Sequence, residues 1–125
     1  METGIKGRTE MTVAPEQSAK NVGSGLVDVF ATPAMVALME KTASSSVLPY
    51  LEEGQGTVGI SLNITHDAAT PVGMKVWCES ELIKVEGRKL TFKVEAFDEK
   101  ERIGGGTHER FIITTEKFQA KANAK

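Results

Sequence analysis

Two residues of this chain carry side chains suited to proton transfer at places where a core is expected: Glu40 and His66. From Pro33 to Leu48 the only charged residues are Glu40 and Lys41, among Ala, Met, Val, Leu, Thr and Ser. From Thr57 the chain alternates Val58, Ile60, Leu62 and Ile64, and His66 continues that parity. A carboxylate and an imidazole directed into a dry interior are either explicitly paired or used in chemistry. Glu40 shares a helical stripe with Val36, Ala43 and Val47. Desolvation there would raise its pKa, as suits a general base or acid near neutrality, and a carboxylate is also a nucleophile toward acyl groups. The plainer reading puts Glu40 at the helix edge, reaching water. His66 would move protons or stabilise developing negative charge; more plainly, it is a hydrogen-bonded cap at the rim of the core.

Other residues offer less. Thr32 suits a helix N-cap, and a capping hydroxyl beside free N–H groups also lies where an oxyanion is stabilised. Gly59, in mid-strand, marks either a bulge or a bare backbone N–H close to a ligand. His108 shares parity with Arg110 and Ile112 and reads as a structural or surface residue. Cys78 reads as a small buried core residue. Metal-ligand spacing, a phosphate loop and a serine nucleophile elbow are not found.

The elements that must hold these residues are legible. Thr32 as N-cap and Pro33 as first residue open a helix that runs to Leu48, where Pro49 stops it. A helix this apolar must be covered on most sides. Before it come a short strand, about Ile5 to Val13, and a turn or two of helix over Glu16 to Val22, ended by Gly23. After it come four strands: Thr57 to His66, Met74 to Val85, Arg88 to Phe97 and Arg102 to Thr115. Glu86-Gly87 reads as a tight hairpin turn, and Leu90, Phe92, Val94 and Ala96 form one apolar face. Gly104-Gly105-Gly106 weakens a strand unless the sheet bends or something packs close. The polar tail from Glu116 is expected to fray. This order predicts an α+β fold, a curled antiparallel sheet wrapping one long helix, with an uncovered helix face that implies a dimer partner.

Composition excludes several classes. At 125 residues, residues 1–125 make one domain with one core. The net charge of −2 comes from interspersed acidic and basic residues, so no basic stripe is available for nucleic acid. A single cysteine rules out an internal disulfide framework and suits a reducing compartment. No signal-like or membrane-spanning apolar run is present, so the cytoplasm is the expected location.

The segments VFATPAMVALME (Val29 to Glu40), ITHDAATPVG (Ile64 to Gly73), VEGRKL (Val85 to Leu90) and GGGTHERF (Gly104 to Phe111) carry a resemblance. The chain resembles the hotdog-fold acyl-CoA thioesterases, in the fluoroacetyl-CoA thioesterase-like branch, from about Val29 to Lys121. That resemblance implies a hotdog fold, a five-stranded antiparallel sheet around one central helix. It also implies a homodimer with sheets joined edge to edge, extending to a higher homo-oligomer in some cases. It carries a Thr–Glu–His constellation onto Thr32, Glu40 and His66, a glycine near the substrate carbonyl onto Gly59, and an arginine near the acyl-CoA site onto Arg110. The fluoroacetyl-specific enzyme has a phenylalanine gate where Leu26 stands here, in a shorter lid, so a small acyl-CoA is implied without fluoroacetyl selectivity. Coenzyme A is then part of the substrate, and no separate cofactor or metal is expected. Thioester hydrolysis, with Glu40 as base or nucleophile, is the leading function. The alternatives are a non-catalytic acyl-CoA or small-ligand binding module, and a hotdog hydratase or dehydratase. The last typically places Asp and His a few residues apart, whereas here Asp67 directly follows His66.

Overall fold

The computed structural model describes residues 1–125. Strand β1 (Lys6–Thr12) is followed by a single 3-10 turn, the short helix α1 (Ala19–Val22) and the long helix α2 (Thr32–Val47). Strands β2 (Gln55–His66), β3 (Lys75–Glu86), β4 (Lys89–Asp98) and β5 (Arg102–Thr114) come next. The five strands form one antiparallel sheet in the order β1-β3-β4-β5-β2, so β1 and β2 are the edges.

The sheet curls around α2 because its strands alternate. Val76, Cys78, Ser80 and Leu82 of β3, and Leu90, Phe92, Val94 and Ala96 of β4, are buried on one face. They pack on Met35, Leu38, Met39, Ala43 and Val47 of α2. Full burial of Met35, Leu38, Met39 and Val47 contributes roughly 6–12 kcal/mol gross, comparable with the whole net stability of a domain. The helix is therefore the spindle of the fold, and the face it turns from the sheet carries Pro33, Ala37, Lys41 and Ser45, all exposed.

Four details differ from the sequence expectation. Helix α2 begins one residue earlier: Ala31 is the N-cap, its carbonyl accepting from the Met35 N–H at 2.9 Å. Thr32 is thus the first helical residue and Pro33 the second, where a missing N–H is still harmless. The Thr32 hydroxyl is free for other use. Strand β2 does not keep one parity: its register shifts between Gly59 and Ser61, a β-bulge. Gly59 pairs with Arg110 and Leu62 with His108, so both lie on the helix side, while Val58 pairs with Phe111 and Ile60 is left 50% exposed. The β3–β4 hairpin closes on Glu86 and Lys89, with Gly87 (φ 63°) and Arg88 at its tip. Finally, the polar tail is a helix, α3 (Thr115–Asn123), although none of its residues is buried.

The glycine run has a structural reason. Gly104, Gly105 and Gly106 pair with His66, Thr65 and Ile64. A Cβ on Gly104 would strike the Thr65 carbonyl and the Met35 side chain, and one on Gly106 would strike the Asn63 backbone. Close packing, the second of the two sequence expectations, is what the glycines permit. It fixes the end of β2 where His66 stands.

Candidate active site

The structure gathers the candidate residues into two clusters. The first lies at the N-terminal end of α2. Thr32 Oγ1 is 2.8 Å from His66 Nδ1. Both line a cavity of about 240 Å³ whose walls include Ser24, Phe30, Ala68 and Ala69. The Phe30 ring meets the imidazole edge-on at 6.5 Å. His66 Nε2 is buried without a hydrogen-bond partner. Burial pushes the His66 pKa below its ordinary value, against the opposing Asp67 charge, so the ring is held neutral. When the Thr32 hydroxyl donates to Nδ1, Nε2 carries the proton and can donate; in the other tautomer Nε2 accepts.

The second cluster lies two turns further along α2. Arg110 is 6% exposed, and its guanidinium is bonded on every nitrogen. Nη1 donates to Glu40 Oε2 and to His108 Nε2, both at 3.2 Å, Nε donates to Thr57 Oγ1 at 2.8 Å, and Nη2 to the Thr57 carbonyl at 2.9 Å. Gly59 faces Glu40 directly, and a Cβ there would collide with Oε2. The bulge and the bare backbone expected as alternatives at Gly59 therefore occur together. The Glu40 side chain is 40% exposed, so one side of the carboxylate is paired and the other is open.

These clusters are not one constellation within a protomer. Thr32 and Glu40 are eight residues apart on α2, about 12 Å along the axis. Gly59 and His66 are seven apart on β2, roughly 20 Å. Leu26 joins neither: it is 93% exposed and lines no part of the cavity beside His66.

Three further groups are accounted for. Cys78 is buried, its thiol pushed up to about 11 mainly by desolvation, and is no nucleophile. Asp67 accepts from Arg102 and from Thr65, both at 3.0 Å, rather than joining His66 in a dyad. The hollow of about 380 Å³ on the outer face of the sheet is walled by Lys6, Arg8, Glu79, Glu81, Lys93 and other polar residues, with no apolar wall to seat an acyl group. Sequence reasoning missed Thr57 and His108 as members of the Glu40 cluster. The signal for His108 was its shared parity with Arg110, two polar residues facing the same way on a core strand.

The curled sheet around a single long helix, with a carboxylate on that helix, defines a hotdog-fold protein of the thioesterase kind. The profile of the fluoroacetyl-CoA-specific thioesterase family matches residues 13–116, and the chain belongs to that family. It is 49% identical over 98 residues to a fluoroacetyl-CoA thioesterase of Streptantibioticus cattleyicolor, covering 78% of this chain and 70% of the relative. A solved structure of the fluoroacetyl-CoA thioesterase FlK superposes with a TM-score of 0.95 at 40% identity, over 100% of this chain and 97% of that one. A hot-dog-like protein from Thermanaerovibrio acidaminovorans, at 21% identity and covering 98% of this chain and 90% of that one, shares the fold with a TM-score of 0.87. The expected family and hotdog architecture are thereby borne out.

Proposed function

We propose that this thioester hydrolase cleaves a small acyl-CoA, and that the two clusters serve one reaction. Water attacks the thioester carbonyl, the C–S bond breaks, and the products are a carboxylic acid and the free thiol of coenzyme A. Glu40 takes the proton from the attacking water. Arg110 holds Oε2, which leaves Oε1 as the free acceptor and tempers the carboxylate as a direct nucleophile. The Gly59 N–H and the Thr32–His66 pair orient and polarise the carbonyl. The neutral His66 donates a hydrogen bond from Nε2 to the departing sulfur, and the proton that Glu40 took from water passes to the thiolate. Thiolates leave readily, so positioning and acid–base help worth about 10²–10⁴-fold suffice. Arg110 acts in this reading through Glu40, with Leu26 as an element of the lid.

The separation of the clusters supports a homodimer. Strand β2 is a sheet edge. Antiparallel pairing of two such edges about Leu62 and Asn63 would set Gly59 of one protomer opposite His66 of the partner subunit. Each site would then combine Glu40 and Gly59 from one chain with Thr32 and His66 from the other. No helix is long and apolar enough to cross a membrane, and a single buried thiol suits the reducing cytoplasm.

The observation that carries this reading is the Glu40 carboxylate, paired by Arg110 on one oxygen and pressed against a residue without a side chain. Free-thiol release over short linear, branched, halogenated and aryl acyl-CoAs tests it, with Glu40→Gln alongside. Turnover by the wild type that collapses in the variant is expected. Acyl-CoA binding by both proteins without turnover by either would make the chain a binding module.

A further inference from the structure

We propose that His108 is a positioning residue for Glu40, acting through Arg110, and this rests on the thioesterase reading above. His108 is fully buried. Its Nδ1 is 2.9 Å from the carbonyl oxygen of Ser61, and its Nε2 is 3.2 Å from Arg110 Nη1. Both partners have fixed roles. A carbonyl only accepts, so Nδ1 carries the proton; a guanidinium only donates, so Nε2 presents its lone pair. The tautomer is set by the surroundings, and the ring is pinned over Phe92 with centroids 6.2 Å apart.

The consequence falls on Arg110. Its Nη1 has two hydrogens and two acceptors, Glu40 Oε2 and His108 Nε2. Thr57 takes the other bonds through its hydroxyl and carbonyl. The guanidinium is thereby held by four bonds, and the two at Nη1 aim that nitrogen at Glu40. Without the acceptor on His108, one Nη1 hydrogen is left unpaired in a buried site, and the fork gains a reason to turn. His108 also grips the bulge. Ser61 follows the register shift and Gly59 precedes it, so the imidazole ties β5 to the segment that must leave room for the carboxylate. Burial, with the Arg110 charge acting in the same direction, holds the His108 pKa below its ordinary value, in keeping with a neutral ring.

Three substitutions separate the two bonds of the ring. His108→Gln keeps an acceptor near the Nε2 position, His108→Asn keeps a donor near Nδ1, and His108→Leu keeps neither. Thiol release should show kcat lowered about 10- to 100-fold by His108→Leu and His108→Asn, with KM little changed and most of kcat recovered in His108→Gln. In a Glu40→Gln background, His108→Leu should add nothing further. A merely structural residue would lower melting temperature without this split, and its effect would multiply with that of Glu40→Gln. Equal kcat in all three variants, or His108→Gln no better than His108→Asn, would overturn the proposal. ¹⁵N NMR of the wild type reads the same tie without turnover: an Nδ1–H tautomer of His108 and slowly exchanging Arg110 Nη–H signals are expected. An Nε2–H tautomer would refute the positioning role even if hydrolysis is confirmed. If no acyl-CoA is hydrolysed, the thioesterase reading fails while the NMR result still decides the tie.

Discussion

The two clusters on α2 differ in how completely their polar groups are used. Around Glu40, each guanidinium nitrogen of Arg110 and both ring nitrogens of His108 have protein partners. Around His66, Thr32 supplies one bond and Nε2 has none, beside an open cavity. A network with a partner on every guanidinium and imidazole nitrogen fixes geometry, because displacement strands a buried donor or acceptor. The buried Nε2 of His66 holds hydrogen-bonding capacity that nothing in the protomer uses. In the proposed reaction the Glu40 cluster would set where water attacks, and the His66 cluster would meet the departing sulfur.

Substitutions can break this contrast, and the largest effect is expected at Glu40. Glu40→Gln keeps a hydrogen-bond acceptor for Arg110 but cannot take a proton, so kcat for thiol release should fall about 10²–10⁴-fold with KM nearly kept. Gly59→Ala comes next: its methyl group lands on the carboxylate, and kcat should fall about 10–100-fold while the circular dichroism spectrum is retained. Thr32→Val removes one bond from a ring that already lacks another, and stopped-flow turnover should fall by about tenfold, less than for the saturated cluster.

The two buried histidines, one in each cluster, also give the fold a pH dependence. Burial depresses both His66 and His108, whereas an unfolded imidazole titrates near 6.5. Between those values the unfolded chain binds more protons, so stability is full above about 6.5 and declines as pH falls below it. Melting temperatures from pH 7.5 to 5 should drop accordingly, and His108→Gln should flatten part of the slope. The smallest effect is expected at Leu26, whose side chain meets almost nothing in the protomer. Leu26→Ala should leave stability within about 0.5 kcal/mol by urea titration, so any change in acyl selectivity would belong to the lid.

The strands and the helix were legible because burial imposes periods on the sequence. Leu90, Phe92, Val94 and Ala96 alternate and are all buried. The helix was found one residue late, because Thr32 and Pro33 satisfy a capping rule that the backbone of Ala31 satisfies instead. The apparent alternation through Val58, Ile60 and Leu62 misled for a physical reason. A bulge adds one residue to one strand, and a parity count cannot see an insertion. The pairing of Glu40 with Arg110 spans seventy residues of sequence, and no local pattern encodes it; the resemblance named both residues without bringing them together. The helical tail was missed because its sequence promises no burial, and the helix indeed buries nothing.

If the two clusters make one site across two chains, subunits defective in different clusters should complement one another. Glu40→Gln and His66→Asn proteins, each nearly inactive alone, would be unfolded together, refolded and assayed for thiol release. Half the dimers would be mixed, and each would hold one site with both groups intact, so about a quarter of wild-type activity should return. A mixture as inactive as its components, with mixed dimers shown by native mass spectrometry, would contradict a shared site.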